Sequence, residues 1–435
     1  MISLENIQKI SKKFGSPFFL VDQKKIKENI DLFNNTFSNY KGNFILGYSV
    51  KTNPLVGILK VMKKYGVASE CASSIDIESS LAAGYKYSDI VYAGLFKSHE
   101  TLNNSVTNNI KLINIESLQE AKDLYEICKK NNKKIKVGIR VAFPSKTGIK
   151  SIMGITYDRF GNSIKMGEVF KVIDYLAVRE DCFKIEGLHC HPGSNIKSSK
   201  IYKLAIDKLY DISEYLIDKH NITVKLINIG GGIGIEEVKF YSIYDYGFST
   251  LFKIFDKKYE INGNNFSQEK MLSEVVQYLN KKFSKKRNYP DIMMEPGRAL
   301  IGNAIDIYSS VVLKKKTESG NWLIIDAGTN ILSILTLLTE QHEVLTSSMM
   351  KEKEIYSIAG PLLYSSDIIA RNLKLSLTKE KDFIIIKAVG AYFSSQSSNF
   401  LFPRCSNILL TELGEFQLIE RKETTKDILL RSIDF

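Results

Sequence analysis

Through roughly the first three hundred residues, short runs of apolar and β-branched residues alternate with longer stretches whose apolar positions recur three and four apart. Eight of the short runs read as strands: "FILGYSVK" (44–51), "GVASECAS" (66–73), "DIVYAG" (89–94), "KLINIES" (111–117), "KIKVGIRV" (134–141), "KIEGLHCH" (184–191), "KLINIGGG" (225–232) and "DIMMEPGR" (291–298). Between them lie amphipathic segments such as "LVGILKVMKKYG" and "LQEAKDLYEICKKN", which predict helices. Strands alternating with helices are the mark of βα units on a parallel sheet. Eight units predict an α/β fold, a (β/α)8 TIM-like barrel over residues 41–300, with its chemistry at the C-terminal ends of the strands.

After Arg298 the pattern changes. Runs such as "AIDIYSSVVLKK", "NWLIIDAG", "DFIIIKAVGAY" and "NILLTE" are rich in β-branched and aromatic residues and predict a mostly β domain over 301–435. Ahead of the barrel, "SPFFLVD" reads as one more strand, so residues 1–40 are expected to contribute a strand to that β domain. The segment 233–290 is unusually long for a connection and carries the aromatic-rich "FYSIYDYGFSTLFKIFDKKYEI"; it is expected over the active-site end, where βα loops emerge.

Composition narrows the classes. Of 435 residues, 44% are hydrophobic and 25% charged, an ordinary balance for a globular protein. No apolar run approaches the roughly 18 residues of a membrane span. The start, "MISLENIQKISKKF", lacks an apolar stretch suited to secretion, so a cytoplasmic protein without membrane partners is expected. The formal charge of +12 raises nucleic acid as a partner, but the excess is lysine in runs such as "KKNNKK" and "KKFSKKR" at probable helix ends, without interleaved arginines and aromatics. Solvated helix faces, and no nucleic-acid partner, are the better reading. The five cysteines (Cys71, Cys128, Cys182, Cys190, Cys405) are scattered without CxxC spacing and suggest neither a disulfide framework nor a zinc ribbon.

Placing the strands gathers the unusual residues at one rim. In "GYSVKTNP", Lys51 ends the first strand; His191, Gly193 and Ser194 follow the sixth; Gly230, Gly231 and Gly232 close the seventh; Glu295, Gly297 and Arg298 close the eighth. Successive glycines let backbone N–H groups approach an anion, and barrels commonly seat a phosphate after strands seven and eight. An amine, an anion cradle, an imidazole and a carboxylate at one rim match the needs of pyridoxal 5'-phosphate: a Schiff-base lysine, a phosphate site, a stacking partner and an acid for the pyridine nitrogen. The competing reading is metal. "HCH" puts His189 and His191 on one face of a strand, although His99, His220 and His342 fall on no other strand terminus.

The motifs "GYSVKTNP", "CASSIDIE", "GLHCHPGSN", "NIGGGIG", "MEPGRALIGNA", "DAGTN" and "VGAYFSSQSSNF" resemble, in order and spacing, those of the pyridoxal-phosphate decarboxylases of the diaminopimelate and ornithine decarboxylase family. The resemblance spans nearly the whole chain and implies an alanine-racemase-like barrel followed by a β domain. By it, Lys51 carries the cofactor, His191 stacks on its ring and Glu295 meets its nitrogen. Ser194, Gly231, Gly232, Gly297, Arg298 and Tyr392 surround the phosphate, and Glu70 and Ala72 line the cofactor, with Glu70 in place of the family's usual Asp. A carboxylate at the ring nitrogen favours decarboxylation, since racemases of this fold resemble the reverse case, with an arginine there.

The resemblance breaks in the β domain. Where the family usually has a catalytic cysteine and an acidic residue, reached from the neighbouring subunit, "GPLLYSSD" has Leu363 and Tyr364; "DAGTNILSILTLL" lacks an arginine usual in diaminopimelate enzymes. The expected activity is therefore decarboxylation of an amino-acid group on a non-standard or conjugated substrate, in a homodimer with shared sites and with Tyr364 as candidate proton donor. A catalytically silent homologue that binds partners is the alternative, and a metal-dependent barrel hydrolase a third. Retention of the cofactor set favours the first.

Overall fold

The computed structural model describes residues 2–143, 159–240, 266–337 and 340–433. They divide into two compact units: Lys27–Gly234 with Phe266–Leu300, and Met1–Ile26 with Ile235–Asn265 and Ile301–Phe435.

Strand β1 (Phe18–Asp22) precedes the barrel, whose strands are β2 (Phe44–Ser49), β3 (Ala68–Cys71), β4 (Ile90–Tyr92), β5 (Leu112–Ile115), β6 (Ile135–Arg140), β7 (Phe183–His189), β8 (Leu226–Asn228) and, after the short β9 (Lys239–Phe240), β10 (Asp291–Met294). Each falls within one of the eight runs expected from the sequence, except that β7 begins one residue earlier. They pair in parallel and close in the order β10, β2, β3, β4, β5, β6, β7, β8. Strands of such a barrel are buried on both faces, which is why they read as continuous apolar runs rather than as alternation. The lower inward layer is Val91, Leu112, Leu226 and Met293, with Ile45 packed against them. Inward positions recur every second residue, so the same face of the barrel also carries Ser49 beside Glu70, Asn114 beside Gly138, and His189 beside Asn228.

The division between units falls at Ile26 and not at residue 40. Helix Gln23–Phe37 belongs mostly with the barrel, where Phe37 stacks on Phe44 at 3.9 Å between ring centroids and Asn29 Nδ2 donates to the Leu300 carbonyl at 2.9 Å. Of the residues that follow β8, 235–240 group with the β unit rather than with the barrel. Much of the long 233–290 segment, residues 241–265, lies outside the described residues; its latter part forms helix Gln268–Lys282.

The β unit is built on a nine-stranded sheet. Its central path continues from β1 to β11 (Ile305–Thr317) and β12 (Gly320–Ile325), and through β15 (Lys353–Ala359) to β16 (Ile368–Ser376). On the other side of β1 lie β18 (Ser406–Leu410) and β19 (Phe416–Glu420). Off this path, β14 (Val344–Thr346) pairs with β17 (Phe383–Ile386), and β13 (Glu340–Gln341) pairs with β9 in a separate two-stranded sheet. The expected return of "SPFFLVD" is observed: β1 is antiparallel to β11 with Phe18 opposite Tyr308, and parallel to β18 with Phe18 opposite Ser406. Helix Leu4–Phe14 buries Ile7 and Ile10 in a core with Phe18, Leu20, Tyr308, Phe383, Ile385 and Ile408. All five cysteines are buried and free, and no helix of the described residues is long and apolar enough to cross a membrane.

Candidate active site

The upper inward layer of the barrel is polar where the lower one is apolar. Lys51 sits just beyond β2 in a single 3-10 turn, Val50–Thr52, whose other two residues are buried while Lys51 is exposed. The turn stops at Asn53 because Pro54 disfavours helical geometry in the residue before it; Asn53 is extended, at φ −161° and ψ 102°. The lysine is thus presented at the rim on a short, anchored loop.

Four titratable groups feel the Lys51 charge: Glu70, Asp76, His191 and Glu295. Each has its own support. Ser49 Oγ donates to Glu70 Oε2 at 2.7 Å. Asp76 lies in helix Ser74–Ala82, which Ser73 caps; Asp76 Oδ2 accepts from the Ala72 N–H at 2.8 Å. Glu295 accepts a hydrogen bond from Asn228 Nδ2, and its Oε2 lies 3.4 Å from His189 Nε2.

Desolvation and charge set their protonation. Burial alone would raise the Glu295 carboxyl, but His189, the Asn228 hydrogen bond and Lys51 outweigh it and hold it at about 2. Burial, then the neighbouring Glu295 charge, pushes Glu70 up to about 7. His191 is pushed down to about 3 by desolvation, followed by the charges of Lys51, Arg140 and His189, so its ring is neutral at pH 7. The rim therefore holds one firmly ionised carboxylate and one carboxyl titrating near neutrality.

Beside these groups the loops after β7, β8 and β10 close on one another through bare backbone. Gly232 has φ +83°, and a Cβ there would lie 1.8 Å from the Gly193 carbonyl oxygen and 3.4 Å from Ser194 Cα. A Cβ on Gly231 would lie 2.1 Å from the Glu295 carbonyl oxygen. Only glycine fits either place. Ile196 N–H donates to the Gly232 carbonyl at 2.8 Å, Glu295 N–H to that of Gly230 at 2.9 Å, and the Tyr202 hydroxyl to that of Gly231 at 2.7 Å. Gly297 packs against the Thr52 side chain, and Arg298 opens the short helix Arg298–Ile301.

The barrel accordingly brings together Lys51, Glu70, Ala72, His191, Ser194, Gly231, Gly232, Glu295, Gly297 and Arg298. Tyr364 and Tyr392 lie in the β unit. Tyr364 is half exposed and packs edge-on against Phe400 at 6.2 Å, with Leu363 beside it 93% exposed; Tyr392 sits in a turn at φ +72°. The sequence pattern does not single out Ser49, Asp76 or Asn228, and offers His189 only as a metal ligand. Ser49, Asn228 and His189 lie two residues before Lys51, Gly230 and His191, so a period of two puts each on the same face as a residue already singled out; Asp76 lies on a helix, outside that period. His189 stands beside Glu295, and among the described residues no three His, Cys, Asp or Glu side chains converge as a metal site.

This donor set fits pyridoxal phosphate: a rim amine for its aldehyde, a buried ionised carboxylate for a protonated ring nitrogen, and a backbone cradle without Cβ atoms for its phosphate.

Comparison with known proteins agrees with this reading. A family model described as pyridoxal-dependent decarboxylase, pyridoxal binding domain, matches residues 23–302. Diaminopimelate decarboxylase of Methanocaldococcus jannaschii is 25% identical over 432 residues, covering 98% of this chain and 92% of the relative. The Aquifex aeolicus diaminopimelate decarboxylase is 27% identical over 433 residues, covering 99% and 94%. A crystal structure of the M. jannaschii enzyme superposes with a TM-score of 0.85 at 25% identity, covering 98% of this chain and 94% of that one. Matched from the helix that opens at Gln23 to Gly302, where the barrel has closed, this chain belongs to the pyridoxal-dependent decarboxylases and is a carboxy-lyase whose cofactor is pyridoxal phosphate.

Proposed function

We propose that the enzyme removes the α-carboxylate of an amino-acid group whose far end is neither a free ammonium nor a free carboxylate, as part of a larger or conjugated substrate. Bound pyridoxal phosphate supplies the electron sink for the pair left behind when carbon dioxide departs. In this reading Lys51 holds the cofactor covalently, and Glu295 keeps a proton on the ring nitrogen. The neutral His191 ring lies against the cofactor face, with Glu70 and Ala72 along its edge. Ser194, Gly231, Gly232, Gly297, Arg298 and Tyr392 hold the phosphate. The observation that carries decarboxylation is Glu295, kept ionised by His189, Asn228 and Lys51 despite its burial.

The substrate reading rests on Leu363 and Tyr364. Neither offers the fixed negative charge that a distal ammonium needs once it leaves water. Diaminopimelate itself is the second reading, favoured by the end-to-end similarity to relatives of that name. Carbon dioxide release from diaminopimelate, ornithine, lysine and extended amino-acid conjugates distinguishes them. We expect the free diamino acids to turn over poorly and a conjugate well, and Tyr364→Phe to slow the conjugate if its hydroxyl supplies the product proton. Efficient turnover of free diaminopimelate overturns the substrate reading.

We also propose a cytoplasmic homodimer with shared sites. Apolar side chains are exposed in the β unit, at Leu363, Tyr364, Phe400, Leu401 and Phe402, and in the barrel after β3 and β4, at Ile75, Leu95 and Phe96. Apolar side chains so exposed ask for cover, which a second copy of the chain related by a two-fold would supply. Mixing inactive Lys51→Ala chains with chains inactivated by Leu363→Arg and Tyr364→Arg is expected to restore about a quarter of wild-type activity, since half of the random dimers are hybrids with one sound site in two. Absence of complementation after demonstrated subunit exchange argues for self-contained sites.

A further inference from the structure

We propose that the buried pair Glu340 and His342 is a positioning device for the turn that carries Tyr392, and so a determinant of how tightly the enzyme holds its cofactor. The proposal rests on the assignment of Tyr392 to the cofactor phosphate made above.

His342 is buried, and both of its ring nitrogens have partners. Nδ1 lies 2.9 Å from the Lys387 carbonyl oxygen, and Nε2 lies 3.2 Å from Glu340 Oε2. A carbonyl only accepts, so Nδ1 carries the hydrogen of that contact, and Nε2 faces the Glu340 carboxyl. The tautomer and the ring plane are thereby fixed, as when a carboxylate orients a histidine elsewhere. The same ring meets Phe393 edge-on, with centroids 5.3 Å apart and planes at 86°, and Phe393 is fully buried. His342 therefore touches both ends of the turn 387–393.

The rest of that turn is gripped from the opposite side. Lys387 Nζ forms an ion pair with Asp306 Oδ2, and Ala388 N–H donates to Asp306 Oδ1 at 3.0 Å. Val389 N–H donates to the Ile305 carbonyl at 2.8 Å and Gly390 N–H to that of Gly302 at 3.1 Å. Within this frame Ala388 and Tyr392 both take left-handed conformations, φ +60° and +72°, which side chains other than glycine rarely adopt. Such a conformation persists only where its surroundings over-determine it. Asp306 and the backbone of 302–305 supply one jaw, and the Glu340–His342 pair supplies the other. Glu340 is itself tied down, since β13 pairs with β9 with Glu340 opposite Phe240. Phe240 is thereby linked to the Tyr392 turn through two buried side chains, Glu340 and His342.

The test is the dissociation constant of pyridoxal phosphate from the full-length apoprotein, followed by the absorbance of the bound cofactor, in a double-mutant cycle. His342→Phe keeps the edge contact with Phe393 but removes both polar ones, and is expected to weaken binding about tenfold, the loss of a buried hydrogen bond. His342→Asn, which can still donate to the Lys387 carbonyl, should recover part of that loss, and the gentler Glu340→Gln should cost only a few-fold. Tyr392→Phe should weaken binding on its own. If His342 acts through the turn, adding His342→Phe to Tyr392→Phe changes the constant less than about twofold, because coupled residues are non-additive. Full additivity, or an unchanged constant in His342→Phe and Glu340→Gln while Tyr392→Phe weakens binding, overturns the inference and leaves the assignment of Tyr392 standing. An unchanged constant in Tyr392→Phe overturns that assignment, and the inference with it.

Discussion

Replacing Lys51 by alanine is expected to lower carbon dioxide release by about a thousandfold or more, and to abolish the covalent attachment of cofactor while leaving the barrel folded. The fold should survive because Lys51 is the exposed member of its turn; Val50 and Thr52, which pack, are untouched. The loss should be large because the amine is placed where Glu70, Asp76, His191 and Glu295 all feel its charge. Borohydride reduction of the wild-type holoenzyme followed by peptide mapping should put the label on Lys51. A label on another lysine, or unchanged turnover in Lys51→Ala, would refute the assignment.

Glu295→Gln should retain cofactor and yet turn over about a hundredfold or more slowly. The amide keeps the size of the side chain and a hydrogen-bonding partner for Asn228, but removes the charge that supports a protonated ring nitrogen as negative charge develops in the transition state. The pH dependence separates this from a structural defect. Because the Glu295 carboxyl is held at about 2, below its ordinary value, its charge is complete throughout the working range, and the variant should be slowed by the same factor from pH 8 to 9, above the range in which Glu70 titrates. For stability the sign follows: a depressed carboxyl contributes above its unfolded value and loses that contribution only as pH falls through about 2. Glu70 has the opposite sense. Held at about 7, it stabilises the fold most below its unfolded value, and that contribution fades as pH rises through neutrality. A Glu295→Gln enzyme with wild-type turnover would show that the ring nitrogen has another partner.

Much of this was legible in the sequence because the barrel writes itself plainly. A strand buried on both faces has to be apolar along its length, so β2, β5 and β6 stand out as "FILGYS", "LINI" and "IKVGIR". Lys51, Glu295 and the glycines of 230–232 stand out because they interrupt that pattern where a strand must end. Ser49, Asn228 and His189 were harder to see. They lie inside strands and act on other side chains, Ser49 on Glu70 and Asn228 and His189 on Glu295, so nothing local marks them; only the inward register, which needs the closed barrel, brings them to the rim. The unit boundary at Ile26 was likewise hidden. It depends on Phe37 meeting Phe44 and on Asn29 reaching Leu300, a contact across 271 residues that no periodicity announces.

Strand β1 imposes an order on how the chain comes together. Residues 18–22 leave the ribosome early, yet one neighbouring strand begins at Ile305 and the other at Ser406, so β1 waits through the synthesis of the whole barrel before its edges are covered. For that interval an apolar "FFLV" strand has two open edges, the circumstance in which strands pair with the wrong chain. The barrel suffers less delay, because β2 to β7 each find a neighbour in the next βα unit as it emerges, and the edges of β2 and β8 that remain wait for β10. Synthesis arrested between about residues 320 and 400 would leave β1 paired on the β11 side alone. Truncation ahead of Ile305 leaves both edges of β1 open and truncation after β11 but ahead of Ser406 leaves one, so aggregation should fall in two steps as the chain lengthens past each partner strand.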